Sequence, residues 1–268
     1  MEALGFDRAL QLRPQAISAE EWALRLELAA CYRLVDWYGW SETINNHISL
    51  RLPGEAKTFL INPYGLHYCE VTASNLVKID IAGEKLDDSP HGVNRAGFVI
   101  HSAIHDARDD AHCILHTHTP EGVAVACKAG GLRNDNLYSS FLHNKVAYHD
   151  FEGVTTHLEE QPRLVASLGA KNFLILRNHG LLTAGRTVAQ TFHAYWTLQR
   201  ACEIQVMTDS MSGPTLPIAQ SVFDRAKERG SARSTRAMGR TASGRSKGDD
   251  MVFGAMLRKA GIRFEDIV

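Results

Sequence analysis

The stretch Cys113-Ile114-Leu115-His116-Thr117-His118-Thr119-Pro120 decides how the rest of the sequence is interpreted. Its first residues are apolar and partly β-branched and Pro120 bounds it, so it predicts a short buried strand. Side chains two residues apart on a strand point to the same face, so the imidazoles of His116 and His118 can reach one ion. Alone, this pattern also fits a strand edge that faces solvent, and a metal site needs a further ligand.

A third imidazole is available at the end of another predicted strand. The apolar run 172–176 is followed by Arg177-Asn178-His179-Gly180, a tight turn from which a side chain can be aimed into a cleft. Three neutral imidazoles and an open position are typical of a catalytic metal centre rather than a closed structural one. Such a centre attracts an anionic oxygen. Among the other histidines, His105, His112, His149 and His157 are interpreted as surface or hydrogen-bonded core residues rather than ligands.

Composition limits the classes of function. The chain has 268 residues, with 29 Lys and Arg, 30 Asp and Glu, and 13 His, so its net charge predicts no strongly charged partner such as nucleic acid. No apolar run is long enough to span a membrane, and the first residues carry acids and no signal-peptide core. The five cysteines are scattered and form no Cys-x-x-Cys pair, which predicts a reduced, cytoplasmic protein without a disulfide framework.

Local patterns predict an alternation of helices and strands. Ser18 and Glu21 have the spacing of a capping box, and the periodic apolar residues after them predict a helix that ends near Gly39. Further strands are predicted at 57–62 and 77–81. Further helices are predicted at about 96–107, 121–128 and 188–208.

The composition changes after Met211. Residues 229–248 contain five Arg, one Lys and no acidic residue among small polar residues, so they are interpreted as part of a solvated, flexible segment. The predicted organisation is a domain at 18–212, a flexible Gly/Ser/Arg-rich segment at 213–250, and a segment at 251–268 that docks back on the domain as a short helix.

These motifs resemble the class II aldolase/adducin family. The resemblance rests on five stretches that occur in the order of the family: Asn45–Arg51, Phe59–Gly65, His116–Pro120, Leu174–Gly180 and Ala201–Gln205. Val93–Phe98 and Val146–Asp150 bring the chain nearer to the adducin head domain than to the sugar-phosphate aldolases. The resemblance implies a three-layer α/β/α sandwich around a central, mostly antiparallel mixed sheet, and commonly a homotetramer with the active site near a subunit interface.

The resemblance also implies an activity and a cofactor. His116, His118 and His179 match the three histidines that hold zinc in the aldolases, where the metal polarises the substrate carbonyl and stabilises the enediolate formed when the C–C bond breaks. We therefore expect one divalent ion, zinc before Fe, Ni, Mn or Co, and a lyase reaction on a small oxygenated carbonyl or carboxylate compound. The expected substrate-binding residues are Asn46, His47, Tyr64, Gly65 and Arg95.

Two departures from the aldolase pattern leave the function open. Gly97 stands where the aldolases carry the catalytic Glu, and His47, Tyr64 and Arg95-Ala96 replace the small polar residues that bind a substrate phosphate. A substitute acid/base is sought among Glu121, Glu70, His143 and Tyr138, of which Glu121 and Tyr138 are the preferred candidates, and Gly97 itself can serve close helix packing. The alternatives to a lyase are a catalytically silent adducin-like binding or assembly module, and a non-haem metal oxygenase or decarboxylase on the same fold.

Overall fold

One mixed sheet organises the computed structural model, which describes residues 4–54, 57–154, 157–225 and 245–268. Its strands are β1 (His47–Arg51), β2 (Phe59–Ile61), β3 (Val77–Ile79), β4 (Cys113–Thr117), β5 (Val146–His149), β6 (Phe173–Leu176) and β7 (Gly180–Gly185). They lie in the order β3-β2-β1-β4-β7-β6-β5. Among these described strands, β5 and β6 pair in parallel and the other neighbouring pairs are antiparallel.

Helices cover both faces of this sheet. They are α1 (Phe6–Gln11), α2 (Ala19–Trp37), α3 (Arg95–Ala107), α4 (Pro120–Ala126), α5 (Leu137–Phe141), α6 (Gln161–Leu168), α7 (Val188–Ser210) and α8 (Lys247–Ala260). Short 3₁₀ turns occur at Tyr68–Glu70, Leu158–Glu160 and Phe264–Ile267.

The alternation of side chains along β4 separates two hydrophobic cores. Cys113 and Leu115 belong to the larger core, which the sheet forms with α2, α7 and α8. Ile114 belongs to the other core, between the sheet and helices α3 and α6. Because side chains alternate on a strand, His116 lies on the same face as Ile114, under α3. The expected three-layer α/β/α sandwich with a mostly antiparallel mixed sheet is confirmed.

The predicted elements agree with the structure to within a few residues. Helix α2 begins where Ser18 caps it, with the Ser18 hydroxyl accepting from the backbone N–H of Glu21 at 3.1 Å. Strand β4 ends at Thr117, so His118 follows the strand rather than belonging to it. Elements without a clear local pattern were missed: α1, α5, α6, β1, β5 and β7.

The C-terminal helix begins earlier than expected. The sequence predicts that the docked segment begins at residue 251, whereas α8 starts at Lys247. Asp249 and Asp250 lie in its first turn, where they complement the helix dipole. Arg245 anchors this start because it pairs with the buried Glu27 of α2 at 2.8 Å and with Asp250 at 3.2 Å. Most of the basic segment 229–248 lies outside the described residues.

Two further observations concern the cysteines and the length of the apolar helices. All five cysteines are free thiols. In the part of the chain that the structure describes, no helix combines the length and the apolarity that crossing a membrane requires.

Candidate metal centre

Three histidines converge at one end of the central strands. His116 is in β4, His118 follows that strand, and His179 is in the turn between β6 and β7. Because β4 pairs with β7, with His116 opposite Leu182, the turn that carries His179 lies beside His116. One ring nitrogen from each of the three lies within 4.8 Å of the others. The structure thus brings together the three imidazoles that the sequence singled out.

Hydrogen bonds orient two of these rings. Nδ1 of His116 lies 2.8 Å from the carbonyl oxygen of Leu181, to which it can only donate. Nδ1 of His118 lies 3.4 Å from a carboxylate oxygen of Glu42, which is likewise an acceptor. His116 therefore carries its proton on Nδ1 and presents a bare Nε2, which lies 2.9 Å from Nε2 of His118. When the proton of His118 lies on Nδ1, beside Glu42, both Nε2 lone pairs are available to one cation.

The environment keeps the three imidazoles neutral. Burial holds the pKa of His116 well below its ordinary value of 6.5, and the neighbouring His118 and His179 add to this effect. Burial also lowers the pKa of His179, to about 4. For His118, burial lowers the pKa while the carboxylate of Glu42 acts in the opposite direction. Neutral imidazole is the form that binds a metal, so this donor set fits a divalent cation.

Sequence reasoning missed Glu42. Its carboxylate contacts His118, and its backbone N–H donates to the side-chain oxygen of Asn46 at 2.5 Å. Asn46, which was expected to bind substrate, is 1% exposed, and its side-chain nitrogen has no partner among the described residues. The only available signal for Glu42 was its place in the loop before β1, three residues ahead of the Asn45-Asn46-His47 motif.

Phe151 and Arg177 were also missed. The Phe151 ring lies 6.3 Å from that of His179, and Arg177 lies next to both of them. Arg177 is held over the Tyr148 ring at 4.3 Å and donates to the carbonyl of Lys128 at 2.7 Å. In the sequence, only position hinted that these two residues lie near the site: Phe151 follows the end of a strand, and Arg177 directly precedes the Asn-His-Gly turn.

The space beside Gly97 is filled by His47. A Cβ atom added at Gly97 would lie 2.6 Å from Cδ2 and 2.7 Å from Cγ of the His47 ring. His47 is in β1, directly opposite His116 of β4, and the two ring centroids are 4.9 Å apart. An imidazole thus occupies the volume that a side chain at position 97 would enter. Gly97 permits the close approach of α3 to this ring.

The remaining candidates for substrate binding lie on the surface. Tyr64 is 44% exposed, and its backbone N–H donates to the carbonyl of Gly92 at 3.0 Å. Gly65 has a φ of 101°, a left-handed conformation that glycine adopts without strain. Arg95 is exposed at the start of α3, two residues before Gly97.

The preferred acid/base candidates face helix α7. Glu121 accepts a hydrogen bond from Gln199 at 3.3 Å, and the Tyr138 ring packs edge-on against Trp196 at 5.4 Å. Neither makes a hydrogen bond or ring contact with the three histidines within the described ranges.

The two other candidates have separate contacts. Glu70 closes a capping box by accepting from the backbone N–H of His67 at 2.8 Å, which is a structural role. His143 stacks on Phe223 at 4.2 Å.

Comparison with known proteins finds a family that matches most of the chain. Residues 26–206 match the family described as class II aldolase and adducin N-terminal domain. A Pseudomonas aeruginosa protein named for the class 2 aldolases is 50% identical over 225 residues, which are 83% of this chain and 86% of that protein. Among solved structures, the L-fuculose 1-phosphate aldolase from Glaciozyma antarctica is 27% identical with a TM-score of 0.73, and the match covers 96% of this chain and 99% of the aldolase.

A second kind of relative is not named as an enzyme. Alpha-adducin of Rattus norvegicus is 48% identical over 193 residues, which are 71% of this chain but only 26% of the adducin. The chain therefore spans about a quarter of that protein.

Proposed function

The chain belongs to the class II aldolase and adducin N-terminal domain family, and on that premise we propose that it is a metal-dependent, aldolase-type lyase. Its substrate is a small oxygenated carbonyl or carboxylate compound. The observation that carries this proposal is the set of three neutral imidazoles whose ring nitrogens converge within 4.8 Å.

The donor set supports a single divalent ion, zinc before Fe, Ni, Mn or Co. His116, His118 and His179 would hold it, and three imidazoles with an open position are the ligands of many catalytic zinc sites. When bound, the ion supplies Lewis acidity toward a carbonyl or carboxylate oxygen. The bond of His116 to Leu181 fixes which nitrogen of that ring is presented, and the Glu42 carboxylate beside Nδ1 of His118 favours a proton there, which leaves Nε2 for the ion.

Three side chains are our candidates for the substrate contacts. The buried side-chain nitrogen of Asn46, which has no partner in the described part of the chain, can donate to a substrate oxygen. Arg177 lies beside His179 and Arg95 lies exposed at the start of α3, and either guanidinium suits a carboxylate. The replacement of small polar residues by His47 and Tyr64 favours an unphosphorylated substrate.

A catalytically silent adducin-like module is the second candidate. It is favoured by the absence of a carboxylate at position 97, where His47 fills the space, and by the contacts of Tyr138 and Glu121 with α7. The similarity to alpha-adducin fits this candidate equally well.

We also propose that the protein is a cytoplasmic homotetramer. Helix α5 exposes Leu137 by 62% and Phe141 by 53%, one helical turn apart, so two large apolar side chains on one side of this helix are left for another subunit to cover. Tyr138 lies on the same helix, and a neighbouring subunit would meet it there.

A turnover assay separates the candidates. Untagged protein is incubated with small hydroxy-carbonyl and hydroxy- or keto-acid compounds, and carbonyl products are quantified beside oxygen uptake and bound iron. We expect release of a carbonyl fragment without oxygen uptake, and its loss in His118→Ala. Retained turnover in that variant contradicts the role of the three histidines in the reaction. No turnover with any compound contradicts the proposed lyase and favours the silent module, and oxygen-dependent turnover with bound iron favours an oxygenase.

A further inference from the structure

A chain of buried polar groups runs from the three-histidine site along the interface between β1 and α3. Nδ1 of His47 lies 2.9 Å from Nε2 of His101, and Nδ1 of His101 lies 2.6 Å from the hydroxyl oxygen of Ser49. The same hydroxyl lies 2.7 Å from Nε2 of His105, and Nδ1 of His105 lies 2.9 Å from the carbonyl oxygen of Ala111. We name these residues, His47, His101, Ser49 and His105, the histidine relay.

The alternation of strand and helix positions builds this relay. His47 and Ser49 are two apart on β1 and therefore share the face that α3 covers. His101 and His105 are four apart on α3 and therefore project from one side of that helix. All four side chains are at most 2% exposed, so water does not compete for their hydrogen bonds.

The far end of the relay fixes the direction of every bond in it. A backbone carbonyl can only accept, so His105 carries its proton on Nδ1 and leaves Nε2 bare. The Ser49 hydroxyl must then donate to His105 and accept from Nδ1 of His101. His101 consequently has a bare Nε2, to which Nδ1 of His47 donates.

This ordering requires neutral rings. Burial lowers the pKa of His105 from 6.5 to about 3, and it holds the pKa of His101 well below 6.5. A neutral imidazole carries one proton, so a donating Nδ1 leaves Nε2 as an acceptor.

The near end of the relay is the Nε2 atom of His47. It lies 3.1 Å from the position that a Cβ atom on Gly97 would occupy, and it has no hydrogen-bond partner among the described residues. The neighbouring ring on the sheet is that of His116, with the centroids 4.9 Å apart. The relay therefore ends in a lone pair beside the proposed metal ligands.

We propose that the histidine relay locks His47 in the tautomer with a bare Nε2, and that this atom accepts a hydrogen bond from a hydroxyl group of the bound ligand. His47 is then a specificity-determining binding residue, while Ser49, His101 and His105 are positioning residues. The site selects ligands that carry a hydroxyl beside their carboxylate or carbonyl. This selection of ligands rests on the proposed function. The tautomer of His47 does not depend on that function, because it follows from the hydrogen bonds of the relay alone.

Nitrogen-15 NMR of the full chain as purified, labelled at histidine, tests the tautomer. A bare imidazole nitrogen resonates well apart from a protonated one, and the His47 signals are assigned through its backbone. We expect a protonated Nδ1 and a bare Nε2 in the wild-type protein and in Ser49→Thr, which keeps the hydroxyl. In Ser49→Ala we expect a mixture of the two tautomers at His47. A protonated Nε2 in the wild-type protein overturns the relay, as does an unchanged His47 signal in a folded Ser49→Ala variant.

Ligand binding tests the selection. Glycolate and acetate differ by one hydroxyl, and their dissociation constants are measured by calorimetry on the zinc-loaded chain. We expect the preference for glycolate to fall in Ser49→Ala, by at most the roughly fivefold that one ordinary hydrogen bond contributes because part of the population keeps the bare Nε2, and to persist in Ser49→Thr. An equal preference in all three proteins overturns the proposed hydroxyl contact. If the wild-type tautomer is as expected but no compound is turned over, the proposed lyase fails and the relay stands.

Discussion

The contact between position 97 and His47 makes a quantitative prediction for Gly97→Ala. The added methyl group would lie 2.6 Å from the His47 ring, about 1 Å inside an ordinary carbon–carbon contact. His47 cannot move aside easily, because it is 2% exposed and is bonded to His101 at 2.9 Å. Overpacking a rigid core costs about 1–3 kcal/mol.

The helix offsets part of this cost. Gly97 lies in the first turn of α3, and replacing glycine by alanine in a helix stabilises it by at most about 1 kcal/mol. We therefore expect Gly97→Ala to lower the free energy of unfolding by about 1 kcal/mol in the wild-type background. In a His47→Ala background the collision is absent, so the same substitution should be neutral or stabilising.

Urea denaturation of the four proteins in this cycle measures the coupling. Tryptophan fluorescence follows unfolding, and all samples have the same protein concentration because association alters the apparent stability of an oligomer. We expect a coupling free energy of about 1–3 kcal/mol between positions 47 and 97. An effect of Gly97→Ala that is the same in both backgrounds would refute the packing of His47 against Gly97.

Three further predictions concern other parts of the chain. Burial lowers the pKa of His105 from 6.5 to about 3, so the unfolded chain binds a proton more readily and the protein loses stability as the pH falls from 6.5 toward 3. In His105→Gln we expect the free energy of unfolding to change less steeply over this pH range, by about 1.4 kcal/mol per pH unit. An unchanged slope in urea denaturation at several pH values contradicts this prediction. Arg245→Met leaves the carboxylate of Glu27, which is 6% exposed, without its partner, and should lower the free energy of unfolding by about 1–3 kcal/mol. Adding Glu27→Gln to Arg245→Met should restore most of this loss. Equal stability of Arg245→Met and of the double variant argues against the ion pair. Leu137→Asp with Phe141→Asp should give a smaller species in sedimentation velocity without loss of helical circular dichroism, and an unaltered sedimentation coefficient excludes α5 from the interface.

Strong local patterns made the fold partly predictable. Helices α2, α3 and α7 have caps and periodic apolar residues, and β4 and β6 are apolar runs bounded by turn residues. By contrast, β1 begins with a histidine and alternates polar with apolar residues because its polar side faces the histidines of α3. A pattern of this kind resembles a half-exposed strand, so its burial follows only from the tertiary packing.

The site was predictable only where its residues have a characteristic spacing. His116 and His118 are two apart, and His179 ends a strand, so local rules could suggest all three. Glu42 reaches His118 through the loop before β1, and that contact depends on how the loop folds.

Local sequence patterns also could not predict that the His47 ring fills the space beside Gly97. These residues are 50 apart in the sequence and meet only because α3 packs on β1. The absence of Glu at position 97 was visible in the sequence, but the imidazole that takes up its space was not.

Metal content is the measurement that tests the three-histidine site most directly. The full chain is purified without a histidine tag and analysed by plasma mass spectrometry, beside His116→Ala and a control, His157→Ala, in an exposed histidine outside the site. We expect about one divalent ion per chain in the wild type and in the control, and a loss in His116→Ala. A metal-free wild type that also fails to take up added zinc, or a His116→Ala variant that retains its ion, would contradict a metal centre at these histidines.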